Sequence, residues 1–365
     1  MAPGAAAEPQ LPPVVDGALL VPRRLRLHSL PVNVVDLLQL PRLEDDLVEL
    51  ERSLERAVGV EDPFLGEIAH HLIRAGGKRI RPALVLSAAA ISGVAPTPEV
   101  LLGGVAVELV HIASLYHDDV MDEAERRRTV PSVNARFGDH LAVVVGDFLL
   151  ARAAEIAASL GTEVAGLLAH TLGRMCAGQV AEVQATFDPG RPESAYVAAV
   201  AGKTASLMAC ACRIGAITAG LGAAERDALT DFGEALGMVF QIRDDILDVV
   251  GDEAELGKAA GQDLAKGVYT LPVLFALDDP DAGPTLRRLL GRPLDPSGRN
   301  DARAAVVGSD GVTRAIAVAR RWADEAARAA GRLGPGEVAQ ALVRLPGDLL
   351  DGVLDAVVQP AETVG

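Results

Sequence analysis

Two acidic clusters in this chain share one spacing. In "LVHIASLYHDDVMDEAERRR" (109–128), Asp118, Asp119 and Asp122 follow an apolar run and precede a cluster of arginines. In "GMVFQIRDDILDVVGD", Asp244, Asp245 and Asp248 repeat the pattern far downstream, on what must be a different helix. An isolated acidic triplet is ordinarily a solvated face or a helix cap, because Asp is a poor helix former and like charges at i and i+4 repel. Two identical triplets, each behind an apolar run, call for a joint explanation. Residues i and i+4 share a helix face, so Asp118 with Asp122, and Asp244 with Asp248, would each point into one cavity, with Asp119 to the side. Hard carboxylate oxygens in that arrangement suit Mg²⁺, which keeps several waters and bridges one or two carboxylates to substrate phosphates.

Basic residues supply the complementary half. "RAGGKRIRPALVLSAAA" sets Lys78, Arg79 and Arg81 between a glycine pair and Pro82, a residue favoured at the first position of a helix. A glycine turn, a helix start with free N–H groups and nearby cations make an anion seat; an exposed polybasic turn is the competing account. Arg126, Arg127 and Arg128 follow the first triad, and Lys203 stands in the largely apolar "AGKTASLMACACR", where a lysine can also simply reach out to water. Carboxylates that hold divalent cations, beside basic groups that hold phosphates sharing those cations, make a diphosphate site.

The elements that must position these groups read as helices. From "LEDDLVELERSLERAV" onward apolar residues recur at three and four, with breaks at "GVAPTP" (93–98), "FDPGRP" (187–192) and "LDPSGRND" (294–301). Helices between about 82 and 250 are expected to form the core, with 311–333 and 336–358 as amphipathic helices outside it. Half the residues are hydrophobic and only 3% aromatic, which suits close-packed helices better than sheets. The fold is read as all-α, without a fixed-period repeat. Residues 1–35 read as a flexible extension, 36–358 as one helical domain and 359–365 as a tail.

A net charge of −16 argues against a nucleic-acid surface. Cys176, Cys210 and Cys212 are odd in number and lie in apolar helical stretches, which gives no disulfide framework and no four-ligand metal spacing. The N-terminal "MAPGAAAEPQLPPVV" lacks the basic and apolar regions of a secretory signal. Apolar stretches such as "LAVVVGDFLLARAAEIAASL" are interrupted by Asp147, Arg152 and Glu155, so none is expected to span a membrane. These features imply a cytoplasmic protein.

The ordered set "GGKRIRP", "HDDVMD" with arginines after it, "GDFLLARA", "GKTASL", "FQIRDDILD" and "GKAAGQDLAKG" followed by "TLP" resembles the trans-type isoprenyl diphosphate synthases, the all-helical polyprenyl synthetase family. The likeness runs from about Gly76 to Pro272. It implies that Asp118, Asp119, Asp122, Asp244, Asp245 and Asp248 bind Mg²⁺ gripping an allylic diphosphate, and that Arg127 and Lys203 contact that diphosphate directly. By the same likeness Lys78, Arg81, His111 and Arg128 hold isopentenyl diphosphate, while Thr204 and Gln241 line the reaction centre. His111 lies two helical turns before Asp118 on the same face, which agrees with that role. Homodimerisation is likewise an expectation of the resemblance.

The chain also departs from the family pattern. Thr129 and Val130 stand where Gly and Lys are common after the first triad, and Val268 stands where many members carry a lysine; Lys258, Asp263 and Lys266 are retained. Short-chain members place a bulky aromatic beneath the first triad as a floor for the growing tail, whereas this chain has Ala113 and Ser114, with Tyr116 read as packing. The expected product is therefore an all-trans polyprenyl diphosphate of C30 or longer, with geranylgeranyl diphosphate as the alternative. A terpene cyclase of the same fold is a rival reading, opposed by "DDILD" and "GGKRIRP". A non-catalytic helical subunit is another, opposed by the retention of both triads.

Overall fold

The computed structural model describes residues 34–251 and 260–357, with side chains described through Asp351. The expectations for residues 1–33 and 358–365, and for Lys258, lie outside the described residues. In chain order the first helices are α1 (Val34–Leu38), α2 (Leu43–Ala57), α3 (Pro63–Arg74), α4 (Ile80–Ala90) and α5 (Pro98–Met121). A ribbon follows, β1 (Arg126–Arg127) antiparallel to β2 (Val130–Pro131), with Arg126 opposite Pro131 and Arg127 opposite Val130. Next come α6 (Val133–Phe137), α7 (Asp139–Ser159), α8 (Thr162–Gln184) and α9 (Glu193–Val200), then a π-helical turn (Ala201–Ala205), α10 (Ser206–Thr218) and α11 (Ala223–Val250). The described chain ends with α12 (Gln262–Lys266), α13 (Leu271–Leu277), α14 (Gly283–Leu289), α15 (Pro296–Val307), α16 (Gly311–Gly331) and α17 (Glu337–Val357). Apart from the short ribbon the fold is all-α. The domain boundary expected at Asp36 falls inside α1, whose Leu38 is fully buried.

Helices α4, α5, α10 and α11 form the centre, with α7 and α8 on one side and α13 and α16 on another. Helices α4 and α10 are apolar nearly all round because they are buried nearly all round. Helix α16 packs along α11 and buries Ala315, Ala319, Ala326 and Ala330 completely, so it is a full layer of the bundle and not an outer strap.

Two helical stretches, Pro98–Met121 and Glu193–Thr218, are long and apolar enough by length and composition alone to cross a membrane. Their apolar windows are 67% and 78% buried within the protein, which is what makes them so apolar. Their apolarity is that of core helices, which tolerate a few ionisable residues at a functional end.

Helix starts follow local chemistry. Thr97 caps α5 by accepting from the Val100 amide, and Pro98 occupies the first turn. Helix α4 begins at Ile80, two residues ahead of Pro82, because Arg79 adopts a left-handed conformation (φ 45°) and turns the chain there. Pro82 still sits among the first residues whose N–H has no helical acceptor, so it costs no hydrogen bond.

Two glycines set the geometry on which the site depends. A Cβ on Gly178 of α8 would fall 2.5 Å from the Lys203 amide nitrogen, and one on Gly237 of α11 would fall 2.4 Å from the Ala205 Cα. Only glycine allows α8 and α11 to come this close to the π-helical turn. Glu182 and Gln241, each one helical turn beyond its glycine, are thereby delivered to Lys203 and Thr204.

Candidate active site

A cavity of about 250 Å³ opens among α5, α8, α9, the π-helical turn, α11 and the segment 263–270. Its wall carries Asp118 and Asp122 from the end of α5, Lys203 and Thr204 from the turn, and Gln241 and Asp245 from α11. π-Helical turns inside α-helices recur at functional sites, and this one projects its lysine and threonine toward two different helices.

Burial pushes the Asp118 carboxyl above the usual carboxylate range; Lys203 opposes the shift and Asp122 adds to it. Lys203 Nζ lies 2.6 Å from Glu182 Oε1, and although burial alone would lower the ammonium, Glu182 and Asp118 carry it upward. Lys266 Nζ donates to Asp122 Oδ2 at 2.9 Å. The second triad meets the cavity through Asp245, which accepts hydrogen bonds from Tyr196 Oη and from Gln241 Nε2 (2.8 Å). Thr204 Oγ1 in turn donates to Gln241 Oε1 at 2.9 Å. Burial and the neighbouring Asp263 push the Asp245 carboxyl well up despite those donors.

The expected pair Asp244 and Asp248 does not form the cavity face of α11. Gln241 and Asp245, also four apart, occupy that face, because the close approach at Gly237 fixes the rotation of the helix. Asp248 is buried and its Oδ2 accepts from the Asp263 amide at 3.1 Å, while Asp244 is 44% exposed beside the Arg243 guanidinium. Asp119 is fully buried beneath Arg127, whose Nε and Nη2 both approach Asp119 Oδ1, at 2.8 and 2.5 Å. Arg127 lines the cavity as well.

The second group of expected contacts gathers away from this wall. Arg81 and Arg128 lie near His111, and burial, followed by these two guanidiniums, holds the imidazole well below its usual value, so it faces them as a neutral ring. Arg81 Nε is buried without a hydrogen-bond partner, and burial lowers the Arg81 guanidinium. Arg128 Nη1 donates to the Leu72 carbonyl at 2.9 Å. Lys78 is exposed on the loop before α4. Arg79, by contrast, is committed to structure: it forks onto Glu51 at 2.7 and 2.8 Å and reaches buried Glu108 at 2.8 Å.

Beneath the first triad Ala113 is fully buried, and Ser114 Oγ donates to the His111 carbonyl at 2.8 Å; neither lies on the cavity wall. Tyr116 is fully buried and donates to the Ile68 carbonyl at 2.7 Å, which ties it to α3. Sequence reasoning did not single out Glu182, Arg191, Tyr196 or Thr270, all on the cavity wall. Tyr196 could have been found, since it lies two helical turns before Lys203. Glu182 and Arg191 carry no comparable signal.

Among the described residues no three carboxylate, His or Cys side chains converge to hold a metal by themselves. The donors nevertheless fit a hard divalent cation completed by phosphate: they are carboxylates on two helices, and Asp119 Oδ2 is buried with no hydrogen-bond partner. Residues 62–306 match the Polyprenyl synthetase family. The chain belongs to that family.

Relatives named as polyprenyl diphosphate synthases align along most of the chain. It is 41% identical over 285 residues to heptaprenyl diphosphate synthase component 2 of Geobacillus stearothermophilus, covering 78% of this chain and 88% of that one. It is 36% identical to nonaprenyl diphosphate synthase of Mycobacterium tuberculosis, covering 77% and 84%. A polyprenyl synthase crystal structure from Caulobacter crescentus, complexed with calcium and isoprenyl diphosphate, superposes with a TM-score of 0.80 at 32% identity over 90% of this chain and 98% of that one. As a polyprenyl synthetase the chain is a prenyl-transferring enzyme.

Proposed function

We propose that this polyprenyl synthetase condenses isopentenyl diphosphate with an allylic diphosphate, in a Mg²⁺-dependent reaction, to give an all-trans polyprenyl diphosphate of C30 or longer. The observation that carries the proposal is a single cavity walled by carboxylates from both triads and by Lys203, Lys266 and Arg127. Of the six carboxylates that the resemblance assigns to the metal, Asp118, Asp122 and Asp245 face the cavity and would hold it, while Asp119, Asp244 and Asp248 would join them only by turning toward the cavity. Bound there, Mg²⁺ supplies Lewis-acid neutralisation of the charge growing on the leaving diphosphate. Lys203 and Arg127 grip the same group, so that the allylic C–O bond breaks toward a carbocation. Lys78, Arg81, Arg128 and neutral His111 hold isopentenyl diphosphate, whose double bond attacks that carbon. Loss of a proton to the released diphosphate completes the step. Thr204 and Gln241 orient Asp245 through their hydrogen-bond chain.

The long product is supported by relatives named for heptaprenyl and nonaprenyl diphosphate and by the small side chains of Ala113 and Ser114. A shorter product is favoured by a different likeness: a geranylgeranyl pyrophosphate synthase from Corynebacterium glutamicum superposes with a TM-score of 0.75 at 37% identity. Incubation with Mg²⁺, isopentenyl diphosphate and each allylic starter, followed by product mass, separates the two. A product of C30 or longer is expected, and a C20 product would overturn the long-chain reading. We place the enzyme in the cytoplasm as a homodimer. The name "component 2" of one relative raises a hetero-oligomer as the other outcome, which light scattering together with activity of the purified chain alone decides.

A further inference from the structure

Val268 lines the cavity where the resemblance leads one to expect a lysine, and the structure offers a cation there from another element. The segment after α8 is laid against the segment that carries Val268. The Phe187 amide donates to the Gly267 carbonyl at 2.8 Å. The Phe187 ring covers the face of Gly267 (φ 76°), where a Cβ would fall 2.3 Å from a ring carbon. Phe187 itself holds a left-handed backbone (φ 62°), a strain that persists where surrounding contacts enforce it. Four residues on, Arg191 comes onto the same cavity wall as Val268 and Lys203.

Arg191 is only 7% exposed, and its charge is poorly answered within the protein. Its Nη2 donates to the Ala195 carbonyl at 3.3 Å, and its guanidinium stands 5.6 Å from the centre of the Tyr196 ring. Its Nε is buried with no acceptor, and among the described residues no carboxylate lies within 4.0 Å. Glu182, Asp245 and Asp188 act on it only at longer range. Burying a guanidinium without a close counter-ion is costly, and an arriving anion removes the cost.

We propose that Arg191 binds the allylic diphosphate and replaces, from the segment 187–191, the cationic contact that Val268 cannot make. This rests on the reading of the cavity as the allylic diphosphate site. A guanidinium fork matches two phosphate oxygens at once, and the Tyr196 ring, 5.6 Å away and itself donating to Asp245, holds it near the second triad. The arginine thus links the diphosphate to Asp245 through one aromatic ring.

The test uses the full chain with Mg²⁺ and inorganic diphosphate in a calorimeter, alongside KM for each substrate. Arg191→Gln keeps a donor for the Ala195 carbonyl and removes the charge. It is expected to weaken diphosphate binding about tenfold and to raise the allylic KM while leaving that for isopentenyl diphosphate unchanged. Arg191→Lys should recover part of the affinity, and Arg191→Gln combined with Val268→Lys should recover it as well. Parent-like diphosphate binding by Arg191→Gln, or no recovery in the double variant, overturns the proposal. Asp118→Asn serves as the reference: if it leaves turnover intact, the reading of the cavity fails. If it abolishes turnover while Arg191→Gln changes nothing, only the role of Arg191 fails.

Discussion

Asp118, Asp119 and Asp122 close a helix, whereas Asp244, Asp245 and Asp248 lie inside one. Helix α5 stops at Met121 and leaves Asp122 as its C-cap, exposed and in contact with Lys266. Helix α11 continues past its triad to Val250, and buries Asp245 and Asp248. The partners differ accordingly. The first triad is answered by full charges, Arg127, Lys203 and Lys266, while Asp245 accepts from a phenol and an amide side chain. Equal spacing therefore does not mean equal electrostatics: the first triad is a rim answered by cations although its Asp119 is fully buried, whereas the second turns to the cavity only Asp245, a desolvated wall whose carboxyl is pushed well up by burial.

The largest effect should come from removing a carboxylate on either side. Asp118→Ala and Asp244→Ala are each expected to lower kcat by at least about a thousandfold, roughly 4 kcal/mol of transition-state stabilisation, with the circular dichroism spectrum retained. If only Asp118→Ala falls, the second triad is a structural wall, and the functional equivalence of the two triads is broken.

A smaller effect separates the ways the triads are held. Arg127→Gln strands the fully buried Asp119 without its cation and should cost about 2 kcal/mol in urea unfolding, discounted because Arg127 is itself 31% exposed. Adding Asp119→Asn should restore most of that stability, since a neutral amide tolerates the site better than an unpaired carboxylate. Tyr196→Phe tests the other side and should cost about 1 kcal/mol, with roughly a tenfold loss of turnover, because Gln241 still donates to Asp245. A larger loss of stability in Tyr196→Phe than in Arg127→Gln would reverse the contrast between a charged rim and a neutral wall.

Much of this site was legible in the sequence because ionisable residues stood where apolar periodicity demanded burial. Asp118, Lys203 and Asp245 all interrupt apolar helices, and the structure gathers them around one cavity. What was not legible depends on contacts between elements. The rotation of α11, which brings Asp245 and not the Asp244 and Asp248 pair onto the wall, is set by the Gly237 approach to Ala205. The π-helical turn has no sequence signature of its own. Arg79 and Arg81 look equivalent as text, yet a left-handed residue and two glutamates commit the first to structure while the second keeps an unpartnered Nε. The long-range pairs of Lys203 with Glu182 and Lys266 with Asp122 likewise appear only once the helices are placed.

The smallest expected effect on turnover, and the sharpest on product, lies one turn below the first triad. Ala113 precedes Asp118 by five residues, roughly 7.5 Å along the helix at 1.5 Å per residue. A tail whose diphosphate is held at the carboxylates must extend past this level if it grows long. Ala113 is fully buried, so no open channel lies beside it, and passage requires neighbouring side chains to yield. Tyr116 cannot be the floor, because its hydroxyl is held by the Ile68 carbonyl and its ring is fully enclosed against α3. If the proposed long tail runs down α5, side-chain volume at 113 would set its length without disturbing the charged rim above. Ala113→Phe should shorten the product while kcat for the first condensation stays within about threefold, a change of less than 1 kcal/mol. Because the added ring enters a packed layer, a milder Ala113→Leu should shorten the product less. An unchanged product distribution in both variants would move the floor off α5, toward α8 and Met175, which is also buried. It would then leave the first triad as an anchor for the diphosphate alone.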